Sequence, residues 1–409
     1  MKTIGIVGGG ASGLVAGIVA ARTGAKVLII EKQNRIGKKI LMTGNGRCNI
    51  TNTYVEKKHF HTSSKVDFYN PIYKMDEVKI LEFFEELGII SLIENNKVYP
   101  LSEQAASVLD VLRIELERLG AAIITDTRVV DLYAKQSKWH IVGEHNEEGK
   151  HKYQVDKVIV ATGGMAGITL DCGMYEILKS LGHKMQPIFP TLVHIVSSSK
   201  YCKMMQGTRV KGAISIYVKG KLARSESGEV LFTEDGLSGP PIFQLSRIAS
   251  ECEAKHKACE VKLDLYPNIS EEDMIGMMYE RIGKNPDKTI EEMFIGWMHK
   301  RVVIPVIKDA DIGSSTTLCQ NLDYDMILRL VQSIKGLRFE VKGTRSFKFA
   351  QSTAGGIDLE GVDFETMESK VASGLYMTGE LLDVDGDCGG YNLQWAWSTG
   401  YLAGKSAAR

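Results

Sequence analysis

The hydrophobic pattern changes period twice within "TIGIVGGGASGLVAGIVAARTGAKVLIIEK" at the start of the chain. A continuous apolar run from Thr3 to Val7 predicts a buried strand, small residues from Ser12 to Arg22 predict a helix, and Lys26 to Ile30 predicts a second strand. Two more apolar strands ending in glycine follow far downstream: "KVIVATGG" (Lys157 to Gly164) and "GLYMTGELLDVDGD" (Gly374 to Asp387). These elements predict an α/β fold with a Rossmann-like sheet. Between them, Pro190 to Pro267 alternates in short segments such as "GAISIYVKGKLA", which predicts a small inserted β-barrel. Ser270 to Lys335 then reads with helical spacing in "EEDMIGMMYERI", "TIEEMFIGWMHKRVVIPVIK" and "DYDMILRLVQSIK", after a capping-box-like Ser270-x-x-Asp273. Met274, Met277, Met278, Met293 and Met298 recur there at positions expected for a helical core.

The glycine spacing brings chemistry into the pattern. In Gly8-x-Gly10-x-x-Gly13, Gly8 permits the turn, Gly10 admits a pyrophosphate to the backbone, and Gly13 lets the helix lie against the sheet. Glu31, at the end of the second strand, is placed to accept ribose hydroxyls. A dinucleotide site is expected, the alternative being a glycine-rich turn in an ordinary α/β domain. Strand ends with glycine spread along the whole chain suit FAD better than a nicotinamide dinucleotide. In that reading Glu380 holds the ribityl hydroxyls and the last helix directs its N-terminal amides at the flavin pyrimidine edge. Gly389 and Gly390 would let the backbone pass against the ring, Asn392 and Gln394 would offer amide contacts, and Trp395 and Trp397 would pack in the core.

Composition narrows the class. With 44% hydrophobic and 24% charged residues, the 409-residue chain reads as a multi-domain globular protein. Lys plus Arg equals Asp plus Glu at 50 each, so no global field recruits nucleic acid or an anionic membrane. Cys48, Cys172, Cys202, Cys252, Cys259, Cys319 and Cys388 lack C-x-x-C spacing, which argues against disulfides, a zinc knuckle or a dithiol pair and for a reducing cytoplasm. The apolar start superficially resembles a secretory signal, but its glycines and the strand that follows place it in the fold. No other segment is long enough to span a bilayer.

Several stretches together carry a family resemblance: "GKKILMTGNGRCNITN" (Gly37 to Asn52), "VYPLSEQAASVLDVLRIELERLGA" (Val98 to Ala121), "LFTEDGLSGPPIFQLS" (Leu231 to Ser246), "AQSTAGGIDLEGVD" (Ala350 to Asp363) and "DGDCGGYNLQWAWSTGYLAG" (Asp385 to Gly404). Over essentially its whole length the chain resembles the YhiN/BaiN-type family of three-domain bacterial flavoproteins. It departs from the family pattern at Met165 to Gly173, where a more glycine- and serine-rich loop is usual. The resemblance implies a fold of the two-dinucleotide-binding-domain flavoprotein type. Its discontinuous FAD domain would span 1–190 and 345–409, a barrel 191–268 with 336–344, and a helical insert 269–335. The FAD site it implies comprises Gly8, Gly10, Ala11, Ser12, Gly13, Glu31, Lys32 and Lys39, then Gly44, Asn45, Gly46, Arg47, Cys48 and Asn49. Val130, Ala161, Thr162, Gly163, Gly379, Glu380, Asp387, Gly390, Tyr391, Asn392 and Leu393 complete it.

Beside the presumed ring, Cys388 is a candidate general acid, its thiol acidified by a helix N-terminus; its other reading is a small packed residue. Cys48 invites the same two readings. Arg47 would bind either the cofactor or a substrate anion, and His59-Phe-His61, lacking a third ligand, reads as a surface loop rather than a metal site. The resemblance implies a reductase of an activated carbon–carbon double bond, including conversion of a uridine in large-subunit ribosomal RNA to dihydrouridine. The alternative is an oxidase or dehydrogenase of a small amine. Local basic clusters that would hold RNA are Lys200, Lys203, Arg209 and Lys211, and Arg338, Lys342, Arg345 and Lys348. A second complete nucleotide fingerprint and a cysteine pair are missing, so either NADH or NADPH enters transiently as electron donor or another reductant serves.

Overall fold

Every residue of Thr3–Val7 (β1) after the first is buried, and β1 lies inside a seven-stranded sheet. The computed structural model describes residues 1–167 and 173–409. Lys26–Ile30 (β2) pairs parallel with β1 on one side and is followed outward by Ala122–Ile124 (β3). Lys157–Val160 (β4) pairs parallel on the other side, followed by Leu375–Met377 (β5). Glu368–Ser369 and Val362–Asp363 continue the sheet antiparallel. Register sets the function of this sheet: Val7 lies opposite both Ile30 and Val160, and Val160 lies opposite Met377. The chain therefore leaves four parallel strands at one edge, where a ligand of a doubly wound sheet binds.

Ala11–Arg22 (α1) mixes small Ala, Gly and Ser with Leu14, Val15, Ile18 and Val19, and nine of its residues, from Ser12 to Ala20, are buried. Its partner is Tyr391–Ala408 (α2), whose backbone approaches closely because two glycines face it. A Cβ on Gly400 would lie 2.3 Å from Ser12 O, and one on Gly404 would lie 2.4 Å from Ala16 O. First and last helices thus lie backbone to backbone, which residues with larger side chains would prevent.

Two compact units are formed, one from Met1–Phe189 with Gln351–Arg409 and one from Pro190–Ala350. In the second, the alternating segments close a six-stranded barrel in the order Ile195–Ser197, Gly236–Ser238, Lys221–Thr233, Arg209–Val218, Cys259–Asp264 and Leu337–Thr344. Its helices include Glu271–Lys284, Lys300–Asp309 and Tyr324–Gly336. Ser270 caps the first by accepting Asp273 N–H at 3.0 Å. The long helix expected over "TIEEMFIGWMHKRVVIPVIK" is broken: Ile290–Met293 ends before Gly296, at φ +76, and the chain restarts at Lys300. Barrel and helices share one apolar core, with Met274, Met278 and Met293 buried beside Ile214, Val261 and Phe339. They therefore form one unit rather than a barrel and a separate helical domain.

The six described cysteines other than Cys172 are free thiols, and Cys172 lies outside the described residues, as does most of the Met165 to Gly173 departure. Among the described residues, no helix is long and apolar enough to cross a membrane.

Candidate cofactor and active site

The turn after β1 is closed where it meets the fold and open where a ligand would approach. Gly8 has φ +104, and a Cβ there would lie 2.5 Å from Ala161 O. A Cβ on Gly13 would lie 2.0 Å from Gly8 O. Gly10 differs, its nearest neighbour being Ala161 O at 4.0 Å, so space is left beside the N-terminus of α1. Ala11 and Ser12 open that helix, and no side chain caps its first amides. Glu31 is already fixed: one carboxylate oxygen accepts Gly9 N–H at 2.7 Å and the other accepts Gln33 N–H at 2.8 Å. Each oxygen keeps lone-pair capacity for a ribose hydroxyl.

Glu31, Lys32, Gly8, Thr162, Gly163 and Tyr175 line a cleft at this edge. The Thr162 and Tyr175 hydroxyls are buried there with no partner among the described residues. Buried polar groups rarely stay unsatisfied, so a polar ligand in the cleft would complete them. Of the strand that borders it, Val129 lines the cleft and Val130 does not. Val130 falls at the register shift between Val129 and Asp131, where the ladder is interrupted.

Further along the edge, β5 delivers Thr378, Gly379 and Glu380. Thr378 Oγ1 donates to Ser12 Oγ at 3.0 Å, so Ser12 is engaged inside the protein. Glu380 accepts Lys39 Nζ at 2.6 Å and Thr353 N–H at 2.6 Å. Thr353, to which the sequence reading gave no role, organises this corner: its Oγ1 accepts the N–H groups of Met165 and Ala166, both at 2.9 Å. Gly164 makes room for it, since a Cβ there would lie 2.5 Å from Thr353 Oγ1. Thr353→Val keeps the shape and strands both amides. We expect it to cost about 2–6 kcal/mol, from about 1–3 kcal/mol for each of the two unsatisfied donors, and to weaken FAD retention. Thermal unfolding with and without added FAD measures both effects.

In the "TGNGRCN" loop, Gly44, Asn45, Gly46 and Cys48 take left-handed conformations with φ between +56 and +86. That curl turns Cys48 into the core, where burial pushes its thiol up to about 12 and removes it from acid–base chemistry near neutrality. Arg47 lies 4.0 Å over the Tyr99 ring, pairs with Glu94 at 2.9 Å and also contacts Glu103. Its charge is thereby compensated within the chain. The Asn49 amide sits between Thr51 O (2.9 Å) and Gly390 N (3.0 Å), its nitrogen donating to the first and its oxygen accepting from the second.

The "DGDCGG" segment is built differently from the sequence reading. Asp387 receives His61 Nε2 at 2.8 Å and His59 Nδ1 at 3.3 Å, so the His59-Phe-His61 pair is a partner of this segment and not a surface loop. Gly390 has φ +100 and backs onto Thr51, while Gly389 O accepts Asn52 Nδ2 at 2.9 Å. The amides expected to face the flavin are spent inside the protein. Asn392 closes a two-way bond with the Gly386 backbone at 2.8 Å each way, and Gln394, fully buried, donates to Met75 O at 2.9 Å. Leu393 packs half-buried against the core. Trp395 and Trp397 are core residues whose indole N–H groups reach Gly379 O (3.0 Å) and Ile50 O (2.9 Å). Burial raises the Cys388 thiol, outweighing Lys97, instead of the lowering expected from the helix N-terminus. Among the described residues, no group of His, Cys, Asp and Glu could hold a metal ion.

Open space at Gly10, the fixed Glu31 carboxylate and the orphan Thr162 hydroxyl fit a dinucleotide diphosphate and ribose. The family model described as the HI0933-like protein Rossmann domain matches residues 2–406. The chain belongs to the HI0933-like family. This is the YhiN/BaiN-type family that its motifs resemble, and FAD is its cofactor. Over 412 residues it is 36% identical to the 3-dehydro-bile acid delta(4,6)-reductase of Clostridium scindens, covering 100% of this chain and 99% of that one. It is 28% identical to the ribosomal RNA dihydrouridine synthase of Haemophilus influenzae, covering 99% and 98%. The solved 3-ketosteroid-delta4-(5alpha)-dehydrogenase from Rhodococcus jostii RHA1 aligns at TM-score 0.50 and 16% identity, covering 100% of this chain and 97% of that one, which shows the shared fold. This HI0933-like protein is an FAD-dependent oxidoreductase.

Proposed function

We propose that this protein reduces a carbon–carbon double bond conjugated to a carbonyl. One observation carries the reading: two relatives aligned over nearly the whole chain bear names with unrelated substrates, yet both names describe saturation of a carbon–carbon bond. Bound FAD would supply the hydride. Glu31 would hold the adenosine ribose, the α1 amides and Thr162 the diphosphate, and Glu380 with Lys39 the ribityl chain. A small enone is the first substrate class, because it has the greater identity behind it and the basic clusters carry counter-charges. Arg209 meets Glu229, Lys342 meets Glu340 at 2.7 Å and Arg345 meets Asp235 at 2.7 Å. Uridine in large-subunit ribosomal RNA is the second, favoured by Lys200, Lys211, Arg338 and Lys348 in the same unit. NADH or NADPH would be the reductant.

The test is anaerobic. FAD-loaded protein is reduced with NADH or NADPH, and then mixed with 4-androstene-3,17-dione or a uridine-containing transcript of large-subunit ribosomal RNA. Return of the oxidised flavin spectrum with a dihydro product is the expected result. Reoxidation by oxygen alone would sink the double-bond reading and leave an oxidase.

A further inference from the structure

Cofactor binding leaves unexplained why two histidines converge on one buried carboxylate. The Asp387 side chain is only 7% exposed and is met by His61 Nε2 and His59 Nδ1. Its own N–H donates to His59 O at 2.9 Å, and Asp385–Gly386 pairs antiparallel with Phe60–His61, so a short ladder fixes the carboxylate against both rings. The His59 ring stacks on Tyr391, centroids 4.5 Å apart and planes 15° apart, and meets Tyr54 edge-on at 5.8 Å. Held in this way, it directs Nδ1 at Asp387 and keeps Nε2 buried with no partner among the described residues.

An imidazole facing a carboxylate through Nδ1 carries its proton there when neutral, leaving the lone pair on Nε2. The carboxylate also stabilises the imidazolium formed when Nε2 takes up a proton. We propose that His59 Nε2 is the proton donor that completes the double-bond reduction, with Asp387 and His61 as positioning residues. The inference rests on the double-bond reading above. Hydride addition brings two electrons and leaves the carbon next to the carbonyl nucleophilic. The Nε2–H bond breaks, a C–H bond forms at that carbon, and the neutral imidazole regains a proton from water. The other titratable groups around the ring are Glu56 and Lys58 in its own segment, which pair with each other at 2.7 Å, with Tyr54, and Tyr391 from α2. Burial raises the Cys388 thiol and makes it a weaker acid than an ordinary cysteine.

His59→Asn tests this in the FAD-loaded protein, because asparagine keeps an N–H toward Asp387 and removes Nε2. With 4-androstene-3,17-dione or the uridine transcript as probe, H59N should be slower than the wild type by about 100-fold. FAD content, photoreduction and reoxidation by oxygen should be unchanged. A wild-type rate in H59N overturns the assignment. If the wild type reduces neither probe, the double-bond reading fails on its own, and ¹⁵N NMR of His59 decides the geometry. Neutral His59 should be the Nδ1–H form, and Asp387→Asn should abolish that preference. The opposite tautomer in the wild type overturns the proposed orientation.

Discussion

Gly13→Ala is expected to yield protein that purifies without flavin colour. The new methyl carbon would lie 2.0 Å from Gly8 O, and that oxygen has little room to retreat. Gly8 N–H is tied to Ile30 O at 2.8 Å, and Ala161 backs the turn so closely that a Cβ on Gly8 would lie 2.5 Å from its carbonyl oxygen. Relief must come from lifting α1 off the sheet, which moves the first amides of the helix away from the diphosphate position. Overpacking of this kind costs about 1–3 kcal/mol, and each 1.4 kcal/mol taken from binding is about tenfold in affinity. The melting temperature should fall by several degrees, at about 2–4 °C per kcal/mol for a unit of this size. Visible absorbance and a thermal melt read the two effects. Stoichiometric FAD in this variant would show that the turn does not cradle the cofactor.

Gly390→Ala should be the more damaging change to the fold itself. Its φ of +100 is unfavourable for any residue with a Cβ, by about 1–2 kcal/mol. The methyl would also lie 2.5 Å from the Thr51 carbonyl carbon and oxygen. Strain and collision together should exceed about 3 kcal/mol and pry the start of α2 from Thr51–Asn52. The indole of Trp397, held by Ile50 O, reports the event: its emission should shift to the red in the folded variant. Gly46→Ala is the control, since its φ of +86 carries the strain but nothing lies within 4 Å of the added carbon. Equal loss in both variants would mean that backbone strain alone, and not the Thr51 contact, sets the cost.

Elements whose signal is local were readable from sequence. β1, α1 and β2 announced themselves by a change of period over thirty residues, and glycines at Gly8 and Gly13 announced a close approach before its partner was known. Side-chain direction was not readable in this way. Asn392 and Gln394 are the residue types that would touch a flavin, but nothing in their spacing says that Gly386 and Met75 already occupy them. Glu380 and Lys39 are 341 positions apart, and Asp387 and His61 are 326 apart. Only the fold brings such pairs together. Cys388 misled for a related reason: a helix N-terminus is legible in sequence, whereas the burial that outweighs it is a property of packing. Thr353 lay inside a quoted motif, yet a hydroxyl accepting two amides from another loop leaves no periodic trace.

The backbone contact between α1 and α2 has a consequence for biosynthesis. Ser12 and Ala16 are made well before the glycines that cover them, Gly400 and Gly404, which come nearly four hundred residues later. At about 5–20 residues per second the interval is roughly tens of seconds. During it the Pro190–Ala350 stretch, which is contiguous, can reach its native state on the ribosome, while the first unit waits with an incomplete sheet and a bare small-residue helix face. A nascent chain in that condition is a client for holding chaperones, and slow codons before Gln351 would lengthen its exposure.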